Sequence, residues 1–206
     1  MKFIDLTQTI TNRMQVYPGE DPPMLFQSHI IDFDGYSNFQ ITMGMHIGTH
    51  IDSPFHMIPD PRMICDMPLE SLIGKGCIID IRENKIFDDA ELVREKTKGC
   101  DIILFCSGFG SLFNSEEYLK DYPQIGENVA QAIVDNGIKM IGIDTLSPDI
   151  SPHNVHKLLL KNNILIAENL TNLEQLLNEK DFTVFALPLK ITADSAPARI
   201  IALVNN

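Results

Sequence analysis

The segment His46–Met57, HIGTHIDSPFHM, holds three of the chain's six histidines and one aspartate. His46, His50, Asp52 and His56 fall on even positions, as do Gly48 and Pro54. Side chains two apart along a strand point to the same side. An extended segment therefore has one face of His, Gly, His, Asp, Pro and His. Its other face carries Ile47, Thr49, Ile51, Ser53, Phe55 and Met57. This constrains the fold, because one face can pack on a core while the other gathers imidazoles and a carboxylate. Residues four apart in an ideal strand are separated by about 13 Å, so His46 and His50 converge only if the chain bends. Gly48 can supply the bend, and Pro54 ends regular pairing before His56. The HxxxH spacing also suits one face of a helix, but Gly48, Thr49, Ile51 and Pro54 are poor helix formers.

Neutral imidazole and carboxylate are good ligands for zinc and other first-row divalent ions. A lone histidine in a strand is more often a hydrogen-bonded core residue. Three histidines and an aspartate on one face point instead to a metal. A catalytic metal keeps a position open for water, so three ligands from this segment suffice and the fourth group is free for proton transfer. His56, beyond the proline and farthest from the others, is the candidate acid/base. His29, alone on an apolar strand, reads as structural, and Met45 and Met57 as core or rim. Downstream, His156 lies on a predicted helix twelve residues before Glu168, which interrupts the apolar run ILIAENL. A carboxylate there is costly to bury unless paired or metal-bound. The local pattern leaves three roles open for it: a strand end at the surface, an ion pair with Lys157, or a metal ligand.

A chain of 206 residues suggests one domain, spanning 1–206. The formal net charge of −12 comes without any cluster of Lys and Arg, which argues against nucleic acid as a partner. The same charge favours a bound divalent cation. Cys65, Cys77, Cys100 and Cys106 form no CxxC pair and read as buried thiols. Asp5 and the polar residues after it break the apolar run a signal peptide needs, and no stretch approaches a membrane span. The expected location is cytoplasmic, with no membrane association.

FIDLTQTI, MLFQSHIIDF and NFQITMGMHIGTHID are predicted strands, with Asp34-Gly35 as a hairpin signal between the last two. GCIIDI, DIILFCSG, KMIGIDT, ILIAENL, FTVFALPLKI and ARIIALV are further strands. Helices are expected at DDAELVREK, GENVAQAIVDNG (ended by Gly137) and HNVHKLLLKNN. TNLEQLL begins with Thr171 and has Glu174 three residues on, the pattern of a capping box. A strand-rich first half and an alternating second half predict an α/β fold with a mixed sheet.

HIGTHIDSPFH resembles the HxGTHxDxPxH signature of the cyclase family of metal-dependent hydrolases, which includes bacterial kynurenine formamidase and isatin hydrolase. FIDLTQTI, VYPGEDPP, IGIDTLSPD, AENLTNLEQL and ALPLKITADSAPARIIAL resemble family segments in family order, so the likeness spans essentially the whole chain. It implies a swivelling β/β/α fold and a homodimer or higher homo-oligomer. It also implies His46, His50 and Asp52 as ligands of a first metal, and Asp52, His156 and Glu168 as ligands of a second. His56 matches the catalytic acid/base. One or two zinc ions per chain are expected, with manganese similar in ligand taste. The implied activity is hydrolysis of a small aryl amide or formamide, N-formylkynurenine first. An isatin hydrolase-like or other carbonyl hydrolase is the alternative within the family, and a non-catalytic metal-binding protein the alternative outside it. Tyr17 and Phe109 are aromatics that could stack on an aryl substrate or serve only in packing. Asp144, Asp149, Asp194 and Arg199 lie in family-like segments and read as structural.

Overall fold

The computed structural model describes residues 1–205. Its strands are β1 (Lys2–Asp5), β2 (Met24–His29), β3 (Asn38–Thr42), β4 (His50–Asp52), β5 (Ile73–Asp80), β6 (Ile86–Phe87), β7 (Ile102–Cys106), β8 (Gln124–Ile125), β9 (Met140–Ile143), β10 (Leu165–Glu168), β11 (Phe182–Pro188) and β12 (Ser195–Val204). Its α-helices are α1 (Ile31–Asp34), α2 (Ala90–Lys96), α3 (Glu127–Asp135) and α4 (Asn154–Lys161). The main sheet runs β1-β12-β11-β5-β7-β9-β10-β4, and β4 pairs back onto β12, closing it into a barrel. Within this sheet β5, β7, β9 and β10 run parallel to one another, and its remaining pairings are antiparallel. The mixed α/β architecture expected from the sequence is therefore present.

Strand alternation sorts side chains between two cores. Along β7, Ile102, Leu104 and Cys106 pack inside the barrel, while Ile103 and Phe105 pack outward under α3 and α4. Such two-sided burial is why DIILFCSG reads as a continuous apolar run. The same period governs β4 and β10. Ile51 and Ala167 point into the barrel core. His50, Asp52 and Glu168 consequently face the helical layer, with His50 opposite Glu168 in the register.

Several local expectations change. The polar face is not one continuous strand: β4 spans only His50–Asp52, His46 lies before it, and His56 sits in a short 3-10 turn begun by Pro54. The first strand stops at Asp5. Thr171 does not cap a helix; the turn Leu173–Leu176 follows Asn172 in the left-handed region, without a side-chain cap. Asp89 does cap α2, accepting from the Leu92 amide at 2.9 Å. Glu168 is not at the surface, being only 7% exposed, and Lys157 instead donates to the Pro152 carbonyl. The four cysteines are unpaired, and only Cys106 is fully buried. Among the described residues no helix is long and apolar enough to cross a membrane.

Candidate metal centre

Gly48 makes the bend that brings the first histidines together. It has φ +59°, and a Cβ there would come within 2.8 Å of Met14 Cε. Asn169 donates to the Gly48 carbonyl at 3.1 Å, and Thr49 donates to the Asn169 carbonyl at 2.7 Å. This lashes the turn to the end of β10. His46, His50 and Asp52 then converge, with His46 Nδ1 and His50 Nε2 lying 3.0 Å and 3.5 Å from Asp52 Oδ1. From the other side, α4 supplies His156. Its Nε2 is 3.2 Å from Glu168 Oε1 and 3.9 Å from Asp52 Oδ2. Glu168 Oε2 reaches back to within 3.3 Å of His50 Nε2. All five residues expected as ligands thus meet around Asp52, which is fully buried.

The orientation of each imidazole is set by the nitrogen facing away from this cluster. His50 Nδ1 donates to the Gly48 carbonyl at 2.8 Å. His156 Nδ1 lies 2.5 Å from Asp149 Oδ1, and His46 Nε2 lies 2.9 Å from Asp194 Oδ2. A carbonyl or carboxylate only accepts, so each ring donates through its outer nitrogen, and the inner nitrogen is the one available to a metal that displaces its proton. Outer acceptors of this kind are what histidine ligands of metals use. His50 Nε2 and both carboxylate oxygens of Asp52 are buried with no hydrogen-bond partner. Leaving three such atoms unsatisfied is expensive. A divalent cation satisfies all of them, so the residues present fit a metal.

The electrostatics agree. Burial opposes charge on His46, but the carboxylates of Asp52 and Asp194 outweigh it and raise its pKa to about 10. Burial likewise opposes charge on His156, and Asp149 and Glu168 overcome it, again to about 10. Burial would raise the Asp52 carboxyl, yet the surrounding histidines hold it well below the usual range. The pocket favours positive charge, whether carried by protons or by a cation.

His56 stands beside the cluster. Its ring centroid is 4.2 Å from that of His46 and 6.1 Å from that of His156. Its Nδ1 lies 3.3 Å from Asp194 Oδ2. A cavity of about 210 Å³ opens onto these rings, with Tyr17, Met57 and Leu146 as apolar wall and Glu20, Ser147 and Asn169 as polar groups. Tyr17 is where an aromatic was expected. Phe109 is not on the cavity wall; it packs with Tyr118, Tyr122 and Leu146. Of the residues read as structural, Asp144 accepts from the Ser107 and Gly108 amides, and Arg199 pairs with Asp5. Asp149 and Asp194 are different, since both hold site histidines. His153, which also lines the cavity, shares Asp149 at 3.3 Å. Asp149 could have been suspected from its place seven residues before His156. Asp194, far along the chain, has no local signal.

Residues 4–150 match the family described as "Putative cyclase". An uncharacterized protein of Methanocaldococcus jannaschii is 38% identical over 98% of this chain and 100% of its own length. The kynurenine formamidase of Bacillus cereus is 30% identical over 97% of this chain and 96% of its own. Isatin hydrolase A from Labrenzia aggregata superposes with a TM-score of 0.87 at 21% identity, covering 100% of this chain and 94% of that one, a likeness of fold. With the matched segment, the full-length relatives and the closed mixed sheet in agreement, the chain belongs to the cyclase family of metal-dependent hydrolases.

Proposed function

We propose that this protein hydrolyses a small aryl amide or formamide, with N-formylkynurenine the first compound to test. In this reading the 206 residues act as one catalytic domain and the protein works as a homodimer. The observation that carries it is the set of buried, partnerless atoms on His50 and Asp52 beside an imidazole that faces an open cavity. A purely structural metal site closes its coordination shell with protein groups; here one side opens onto solvent-accessible space. The 30% identical kynurenine formamidase adds support.

His46, His50 and Asp52 would hold one ion, and Asp52, His156 and Glu168 a second. Zinc suits this donor set, and manganese is compatible. A divalent cation so held supplies Lewis acidity toward a carbonyl and lowers the pKa of water. The chain's own residues do the rest. Tyr17 offers a ring face to an aryl group. His56, held through Nδ1, presents Nε2 as the atom that exchanges protons. When water adds to the amide carbonyl and the C–N bond breaks, His56 delivers a proton to the leaving nitrogen.

One observation favours a second reading. No Lys or Arg lines the cavity among the described residues, and Glu20 does. An uncharged cyclic amide of the isatin type would enter without a carboxylate to neutralise. N-formylkynurenine would place its ammonium near Glu20 and its carboxylate toward His153 or the mouth. The test is a steady-state assay of zinc- and manganese-loaded protein on N-formylkynurenine, isatin and an alkyl formamide. Turnover of N-formylkynurenine above the other two supports the proposal. Turnover of isatin alone moves the assignment to the second reading. Full metal loading without turnover of any of the three overturns the aryl-amide assignment.

A further inference from the structure

Asp194 lies just before β12, and its backbone is clamped independently of its side chain. The Ser53 amide and hydroxyl both donate to the Asp194 carbonyl, at 2.9 Å and 2.7 Å. The next residue, Ser195, pairs with Asp52 in the sheet. The carboxylate is thereby carried to a place where two candidate functional imidazoles, His46 and His56, lie side by side. A single oxygen, Oδ2, is 2.9 Å from His46 Nε2 and 3.3 Å from His56 Nδ1. Because a carboxylate can only accept, both rings must donate to it. That leaves Nδ1 of His46, beside Asp52, as its position for a metal, and Nε2 of His56 as its exchangeable position.

We propose that Asp194 is a positioning residue that orients His46 toward the metal and His56 toward the substrate through one shared oxygen. It couples metal retention to proton transfer, two tasks the sequence places on separate residues. This rests on the ligand and acid/base roles given above for His46 and His56. Loss of the carboxylate frees both rings to turn and lets each exchange its tautomer.

The test compares Asp194→Ala and Asp194→Asn with the unaltered protein. Zinc affinity is read by chelator competition, which needs no substrate and so remains informative if the assigned activity is wrong. Asp194→Ala is expected to weaken zinc binding by about 10–100-fold, the usual effect of removing an outer partner of a ligand histidine. Asp194→Asn, which keeps an accepting oxygen, should recover much of that affinity. With metal saturating, Asp194→Ala should lower kcat more than it raises KM. In a His56→Ala background the same change should cost kcat much less, because the partner it orients is gone. Unaltered zinc affinity in Asp194→Ala would overturn the link to His46. An equal loss of kcat with and without His56 would overturn the link to His56. Because the Ser53 bonds go to the backbone, both variants are expected to melt close to the unaltered protein. If Asp194→Ala does not fold, Asp194→Leu, which likewise has no accepting oxygen, carries the same comparison.

Discussion

Asp52 and His56 differ in what surrounds them, and that difference underlies the separate roles proposed for them, metal binding and proton transfer. Asp52 is sealed in, with both oxygens directed at imidazoles. His56 is partly exposed on the cavity and has one fixed carboxylate partner. Replacing Asp52 by Ala should therefore strip most of the metal from the purified protein, measured by elemental analysis. Replacing His56 by Ala should leave the metal in place and cost roughly 10²–10⁴ in turnover, the range of general acid–base catalysis. His46, Asp52 and His56 also lie close enough to share an ion. Loss of metal from His56→Ala would accordingly make His56 a ligand.

At the scale of elements, three of the four parallel strands, β5, β7 and β9, are joined at their start by one carboxylate. Asp101 immediately precedes β7. Its Oδ2 accepts from the Lys75 amide of β5 at 2.9 Å, and its Oδ1 pairs with Lys139, next to β9, at 2.7 Å. The Lys139 ammonium, with help from the Lys75 amide, holds the Asp101 carboxyl below its ordinary value of 3.8. An acid whose folded pKa is depressed stabilises the fold above its unfolded pKa, and that contribution is lost as pH falls through the folded value. Asp101→Asn should thus cost about 0.5–1 kcal/mol at pH 7, modest because the pair is about a third exposed. Urea denaturation should show the difference shrinking toward zero as pH drops below 3.8. A difference that persists unchanged in acid would mean the ion pair is not its source.

At the scale of the whole molecule, the hairpin β2–β3 stands apart from the barrel as a separate two-stranded sheet. A ribbon of two strands is marginally stable by itself. This one exposes Met24, Phe26, Ile30, Ile31, Phe33, Tyr36, Phe39 and Ile41. Weighted by their fractional exposure, at about 200 Å² per large side chain, these present roughly 900 Å² of apolar surface. A standard interface takes about 800 Å² from each partner, so the patch is large enough to serve as the interface of the homodimer proposed above. The hairpin carries Asp32 and Asp34 but no Lys or Arg, which disfavours an anionic membrane surface. The pair of changes Phe26→Ser and Phe39→Ser should shift a dimer toward monomer in sedimentation velocity. A dimer that survives both changes would place the interface elsewhere.

By itself the sequence determined which side chains make up the first cluster. His46, His50, Asp52 and His56 are close along the chain, and Gly48 and Pro54 announce the bends between them. It also determined most elements, because strand and helix periodicities are local properties of the chain. Its errors were at junctions such as Thr171, where the tertiary course of the chain overrode a local capping pattern. Only the folded chain decided whether Glu168 is a surface carboxylate or a member of the site. That depends on β4 pairing with β10, which sets His50 opposite it across 118 residues of sequence. The roles of Asp149 and Asp194 were hidden for the same reason. Each acts on a histidine through a contact made by barrel closure or helix packing, and no local spacing encodes such a contact.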